Sequence, residues 1–175
     1  MKVWWTGFLV LVATFGFAQA SGSDAKDAFQ TLSTLAGDWE GTYEWTGARK
    51  DAGKMNAHYY LTGNGSALVE DLSNGGAPSM TSVYHLDNAD LRVTHFCAAR
   101  NQPRLKASKI DTAKKAIEFS FVDVTNVTSM GAPFVHGLSV ELASPDQLNL
   151  TFHFEAAGKK SDEHIALKRV AAGTK

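Results

Sequence analysis

The sequence predicts an all-β protein, an antiparallel up-and-down barrel of about ten strands with one short helix on its N-terminal side. Three observations carry this. Apolar and polar residues alternate with a period of two through a series of short segments, as in Trp39, Gly41, Tyr43 and Trp45 against Glu40, Thr42, Glu44 and Thr46. Turn-forming residues separate the segments at hairpin spacing, among them Gly63-Asn64-Gly65, Asp87-Asn88-Ala89-Asp90 and Ser144-Pro145-Asp146. So many strands with one apolar face each must stack or close, and closure removes the exposed edges.

Residues 1–20 read as a signal peptide: Lys2, then an apolar run to Ala18, then the small-x-small site Ala18-Gln19-Ala20. The run is short for a membrane span, so no stable membrane anchor is expected and the protein should be exported, to a periplasm or beyond the cell. Residues 21–36 hold an N-terminal segment and a helix over 24–35, with Ala25, Ala28, Phe29, Leu32 and Leu35 at helical spacing. Residues 37–170 form the barrel and 171–175 a C-terminal tail. The barrel strands are read at 39–46, 54–62, 66–72, 79–86, 91–97, 103–110, 115–122, 134–142, 147–156 and 163–170. The third could not be assigned an inner face from its pattern. The net charge is −1 with no basic block, which argues against a nucleic-acid partner. Oligomeric state is left open.

The densest patch of chemistry is Thr94-His95-Phe96-Cys97, followed by Asn101-Gln102-Pro103-Arg104; Cys97 is the sole cysteine. If the turn pairs Leu86 with Leu91, then Tyr84, His95 and Cys97 share the inner face; a one-residue slip would exchange them with Thr94 and Phe96. His136 shares a face with Leu138, Val140 and Leu142 and is read as inward too. A polar group set in an apolar barrel suits a small apolar or amphipathic molecule, with Tyr43, Trp45, Tyr84, His95, Cys97, Arg104 and His136 as candidate contacts. Arg104 has a second reading, as a surface ion-pair partner while Asn101 and Gln102 tie the loop to its neighbours. His95, Cys97 and His136 together would suit zinc or copper, although no His-x-His pair exists. The aromatics could equally fill the interior, leaving a barrel that acts through its loops as a protein-interaction module. No Gly-x-Ser-x-Gly or His-Glu-x-x-His motif is present, and His95 and Cys97, two apart on a strand, diverge too much to act as base and nucleophile. A non-catalytic protein without a cofactor is expected.

Two features resemble known families. A short helix followed by Gly37-Asp38-Trp39 resembles the Gly-x-Trp opening of lipocalin-like barrels. That likeness implies a Trp39 on the barrel floor, packed under an arginine of the last strand, for which Arg169 is placed. The run Thr-His-Phe-Cys-x-x-x-Asn-Gln-Pro-Arg resembles a family of uncharacterised secreted bacterial proteins, a domain of unknown function with Thr-His-Tyr-Cys at this place. It implies a barrel akin to lipocalins, fatty-acid-binding proteins and nitrobindin, and no reaction. Nitrobindin being a haem barrel, haem is a further alternative, with His95 or His136 as axial ligand.

Overall fold

The computed structural model describes residues 22–129 and 131–171. The expected signal peptide and most of the expected tail lie outside the described residues. Helix α1 spans Gly22–Ser33. The strands are β1 Gly37–Gly47, β2 Asp51–Thr62, β3 Ala67–Ser73, β4 Met80–Asp87, β5 Asp90–Phe96, β6 Gln102–Asp111, β7 Ala116–Thr125, β8 Phe134–Ser144, β9 Gln147–Ala156 and β10 Lys159–Arg169. They close into one antiparallel barrel in chain order, with β1 paired to both β2 and β10. The β1–β2 and β9–β10 hairpins run further than the alternation suggested, beginning at Asp51 and Lys159, because backbone pairing continues where the side chains are polar.

One end of the barrel is shut. α1 turns Ala25, Ala28, Phe29 and Leu32 inward over the ends of β4, β5 and β6, and Leu35 follows in the turn after it, all buried. The joint that holds it there is made by the two residues of the Gly-x-Trp resemblance. Trp39 and Arg169 face each other across the β1–β10 closure. The Arg169 guanidinium lies 4.2 Å from the Trp39 ring centroid. It donates to the carbonyls of Thr34, Ala36 and Pro145 at 2.8, 2.9 and 3.2 Å, and the Trp39 indole N–H donates to Leu35 O at 2.8 Å. Carbonyls at a helix end have no intrahelical partner and must find one elsewhere. Here the first and last strands supply it.

Two glycines let this closure form. Gly37 has φ +125°, a conformation that side chains rarely adopt, and a Cβ there would meet the Arg169 guanidinium at 3.3 Å. At Gly41 a Cβ would fall 1.9 Å from Ala166 O on β10, so only glycine permits the strands to approach so closely.

The β4–β5 register pairs Leu86 with Leu91, which places Met80, Ser82, Tyr84, Leu91, Val93, His95 and Cys97 inside. On β8 the inner face differs from the alternation. Val135 pairs with Phe154 and Gly137 with His153, so His136 is a bulged extra residue. The bulge turns Val135 inward with Leu138, Val140 and Leu142, and sends His136 outward, where its ring lies 6.1 Å from His153. Phe121 lies on the same alternation as the buried Ile117 and Phe119, yet is 40% exposed. It packs on Phe134 beyond Ser120–Gly137, where the β7–β8 pairing ends.

Arg169→Ala should destabilise the barrel by about 2–4 kcal/mol, because it removes the cation–π contact and strands helix-end carbonyls; denaturant unfolding measures this. Gly41→Ala should cost at least as much, since the obstacle is backbone, and should lower the melting temperature by more than alanine at Gly65, where a Cβ has open space.

Candidate functional site

At the end opposite α1 the barrel is open. The β1–β2, β3–β4, β5–β6, β7–β8 and β9–β10 connections ring a cavity of about 440 Å³. Tyr43, Trp45, Met55, Met80, Cys97 and Phe154 make its apolar wall. Small residues widen it: Ser79, Ala98, Ala99, Ala156 and Ser161. The Thr94–Arg104 stretch forms one lip. Its turn is pinned by Cys97 N–H donating to Asn101 O at 3.0 Å and Arg100 N–H to Cys97 O at 2.9 Å. Asn101 Nδ2 donates to Pro133 O at 2.7 Å, and Gln102 Oε1 accepts from Thr125 and Asn126, so the lip is tied to the β7–β8 connection.

The polar feature of the wall is Glu163, on β10 opposite Trp45 of β1 and Phe152 of β9. It is 4% exposed, and among the described residues its Oε2 has no hydrogen-bond partner. Burial pushes its pKa from the usual 4.5 up to about 7; the Arg49 charge and a hydrogen bond from Trp45 oppose that rise only in part. Arg49 is otherwise engaged. Its guanidinium caps the Trp45 ring at 3.9 Å and pairs with Asp51 at 3.3 Å, and Asp51 also accepts from Tyr43 OH at 3.3 Å. The Trp45 ring packs on Phe154, centroids 4.7 Å apart. Burial also pushes the Cys97 thiol up, which keeps it from being a ready thiolate.

Below the cavity the barrel is packed, and its interior polar groups serve one another. Tyr59, Tyr84 and Ser82 hydroxyls donate to the fully buried Glu70 carboxyl at 2.7, 3.1 and 2.9 Å. Burial raises the Glu70 pKa, and these hydrogen bonds offset part of the rise. With its proton given to Glu70, the Ser82 hydroxyl accepts from His95 Nδ1–H at 2.9 Å. His95 Nε2 is then a bare lone pair, buried without a partner, and the ring packs on Phe152 at 4.8 Å. Burial lowers the His95 pKa from 6.5 to about 4, so the ring is neutral.

The expected site residues therefore separate into three groups. Tyr43, Trp45 and Cys97 line the cavity. Tyr84 and His95 lie beneath it in the packed interior, held by Glu70 and Ser82. Arg104 and His136 are on the outside: Arg104 forms a two-pronged pair with Asp123 at 2.5 and 2.6 Å, and His136 is turned out by the bulge. The His95, Cys97 and His136 set does not converge, and among the described residues no group of three or more His, Cys, Asp or Glu is arranged to hold a metal. Among the described residues no histidine lines the cavity, and the inward His95 is covered by packed side chains. Glu163 and Glu70 were missed as inward acids. Their signal was the alternation itself, Glu163-x-Ile165-x-Leu167 and Leu68-x-Glu70-x-Leu72, each placing one acid among apolar neighbours.

No protein-family model and no curated protein matches the chain. Solved structures do resemble it. Rv2717c from M. tuberculosis superposes with a TM-score of 0.57 at 18% identity, over 82% of this chain and 97% of that one. A protein of unknown function from the DUF3598 family of Nostoc punctiforme superposes with a TM-score of 0.56 at 15% identity, over 79% of this chain and 48% of that one. At these identities the likeness speaks for the barrel fold.

Glu163 and His95 slope against each other with pH, and Glu70, also raised by burial, slopes with Glu163. Glu163, raised to about 7, makes folding less favourable as pH climbs from about 4.5 through 7; His95, lowered to about 4, makes it less favourable as pH falls from about 6.5 to 4. The Glu163 and His95 contributions should accordingly offset each other between pH 4.5 and 6.5. Glu163→Gln should gain stability relative to wild type as pH climbs across that window, and at pH 8 the variant should be more stable than wild type by up to about 3 kcal/mol. Urea titrations at pH 5, 6.5 and 8 check both signs.

Proposed function

We propose that this is an exported, non-catalytic barrel that binds a small apolar or amphipathic molecule in the cup at its open end. The observation that carries the reading is the 440 Å³ cavity walled by Tyr43, Trp45, Met55, Met80 and Phe154. Ligand sites are concave, mostly apolar and furnished with few polar groups, and volumes of a few hundred Å³ suit small molecules. Burial of an apolar body there gains roughly 25 cal/mol per Å² of area removed from water. Export is supported by the sequence of residues 1–20 alone, with its positive start, apolar run and small-residue cleavage site. The likeness of the Thr94–Arg104 run to secreted bacterial proteins of unknown function agrees with it.

The binding surface is thus confined to the mouth. The packed half supplies rigidity, and the small residues of the rim supply room. Ala99 stands on the lip, half-buried and facing the cavity, outside the strands. A bulky side chain there can fill the cup without disturbing the sheet.

The neutral dye Nile red should bind the wild-type protein saturably, one per chain, with a blue-shifted emission. Ala99→Trp should weaken that binding at least tenfold while the thermal unfolding curve stays near that of wild type. Non-saturable binding, or equal binding by the plugged variant, would remove the cavity from consideration as a ligand site.

A further inference from the structure

The cavity's ligand class can be read from the one polar group its wall leaves unsatisfied. We infer that the cup takes a lipophilic ammonium, an apolar body ending in a protonated amine, whose charged end meets the Glu163 carboxyl. The inference rests on the ligand-binding reading above and narrows it.

The argument begins with donors and acceptors. The other buried carboxyl, Glu70, is met by three hydroxyl donors. Glu163 is nearly as enclosed, yet its Oε2 has no partner among the described residues, and the residue lines the cavity. A buried carboxylate needs both a donor and a compensating charge. The nearby cation supplies them only in part: Arg49 also lines the cavity and its charge reaches Glu163, but its guanidinium is stacked on Trp45 and paired with Asp51. A ligand alcohol would supply a donor alone, and a ligand carboxylate would add a second negative charge. A ligand ammonium supplies both donor and charge. The wall around Glu163 suits it further, since Tyr43, Trp45 and Phe154 offer aromatic rings, whose faces attract cations. Met55 and Met80, unbranched and adaptable, would lie along the apolar body.

The groups that face Glu163 from the surrounding elements are Tyr43 and Trp45 of β1, Arg49 of the β1–β2 turn, Asp51 of β2, Cys97 after β5, Phe152 of β9 and Lys159 of β10. Among them Glu163 is the acid whose burial moves its titration to about pH 7.

The test is displacement of Nile red by three molecules of one chain length: octylamine, octanol and octanoate. In the wild type at pH 8, octylamine should displace the dye at about a tenth or less of the concentration that octanol needs, a hydrogen bond to a buried charge being worth at least that factor. Octanoate should be weakest. The amine-to-alcohol advantage should shrink as pH falls below about 7, although the amine stays protonated, and should drop to about one in Glu163→Gln at pH 8. An amine no better than the alcohol in the wild type, or an advantage that survives Glu163→Gln, overturns the inference while leaving the cavity a ligand site. Failure of Nile red to bind at all overturns both.

Discussion

The stacking of Arg169 on Trp39 is the contact on which the rest of the barrel depends. A closed sheet has no free edge only if its first and last strands meet, and these are separated by nearly the whole chain. The loop closure that brings them together is entropically costly and needs local reward at the seam. Arg169 supplies it by stacking on the indole while its fork reaches the carbonyls of Thr34 and Ala36 at the end of α1 and that of Pro145 in the β8–β9 turn. One side chain thereby fixes the seam, the floor and the helix that shuts the floor. A lysine could carry the charge but not the planar fork.

With one end shut, the interior divides by residue size. Towards the floor, Trp39, Tyr59, Tyr84, Leu138, Leu148 and Phe152 are almost wholly enclosed and leave no room for a guest. Towards the mouth, alanines and serines take the places of large side chains, and the wall recedes. An interior just wide enough to be filled by side chains belongs to about eight strands; ten enclose somewhat more, so small residues in one layer are enough to open a cup.

The two halves treat a buried carboxyl differently, and the contrast locates the chemistry. Glu70 sits in a closed set of hydroxyls that also orients His95, so each member except His95 Nε2 and the spare valences of the carboxyl is satisfied within the wall. Such a network specifies a unique interior. Glu163 lies on the same kind of strand and is nearly as enclosed, but faces the cup and lacks an equivalent set of donors. An unsatisfied buried charge lowers stability.

Much of this was legible from the chain. Period-two alternation and hairpin turns determined the ten strands, their antiparallel order and the need to close, because side-chain direction along a strand is set by the pleat. They pointed to the Leu86–Leu91 register but left a one-residue slip open; the structure has that register, and with it His95 and Cys97 turn inward. The site itself was less legible. His136 leaves the interior because one extra residue on β8 has no partner on β9, and a bulge changes the phase of a strand without changing its composition. Arg104 and Glu163 show the same gap from the other side. Alternation says which way a residue points, but it does not say at which height along the barrel a layer is filled or open, nor which charge finds a partner across strands distant in sequence. Those are properties of packing among many strands at once, and so the tertiary structure alone decided that Glu163, rather than His95 or Arg104, stands at the wall of the cavity.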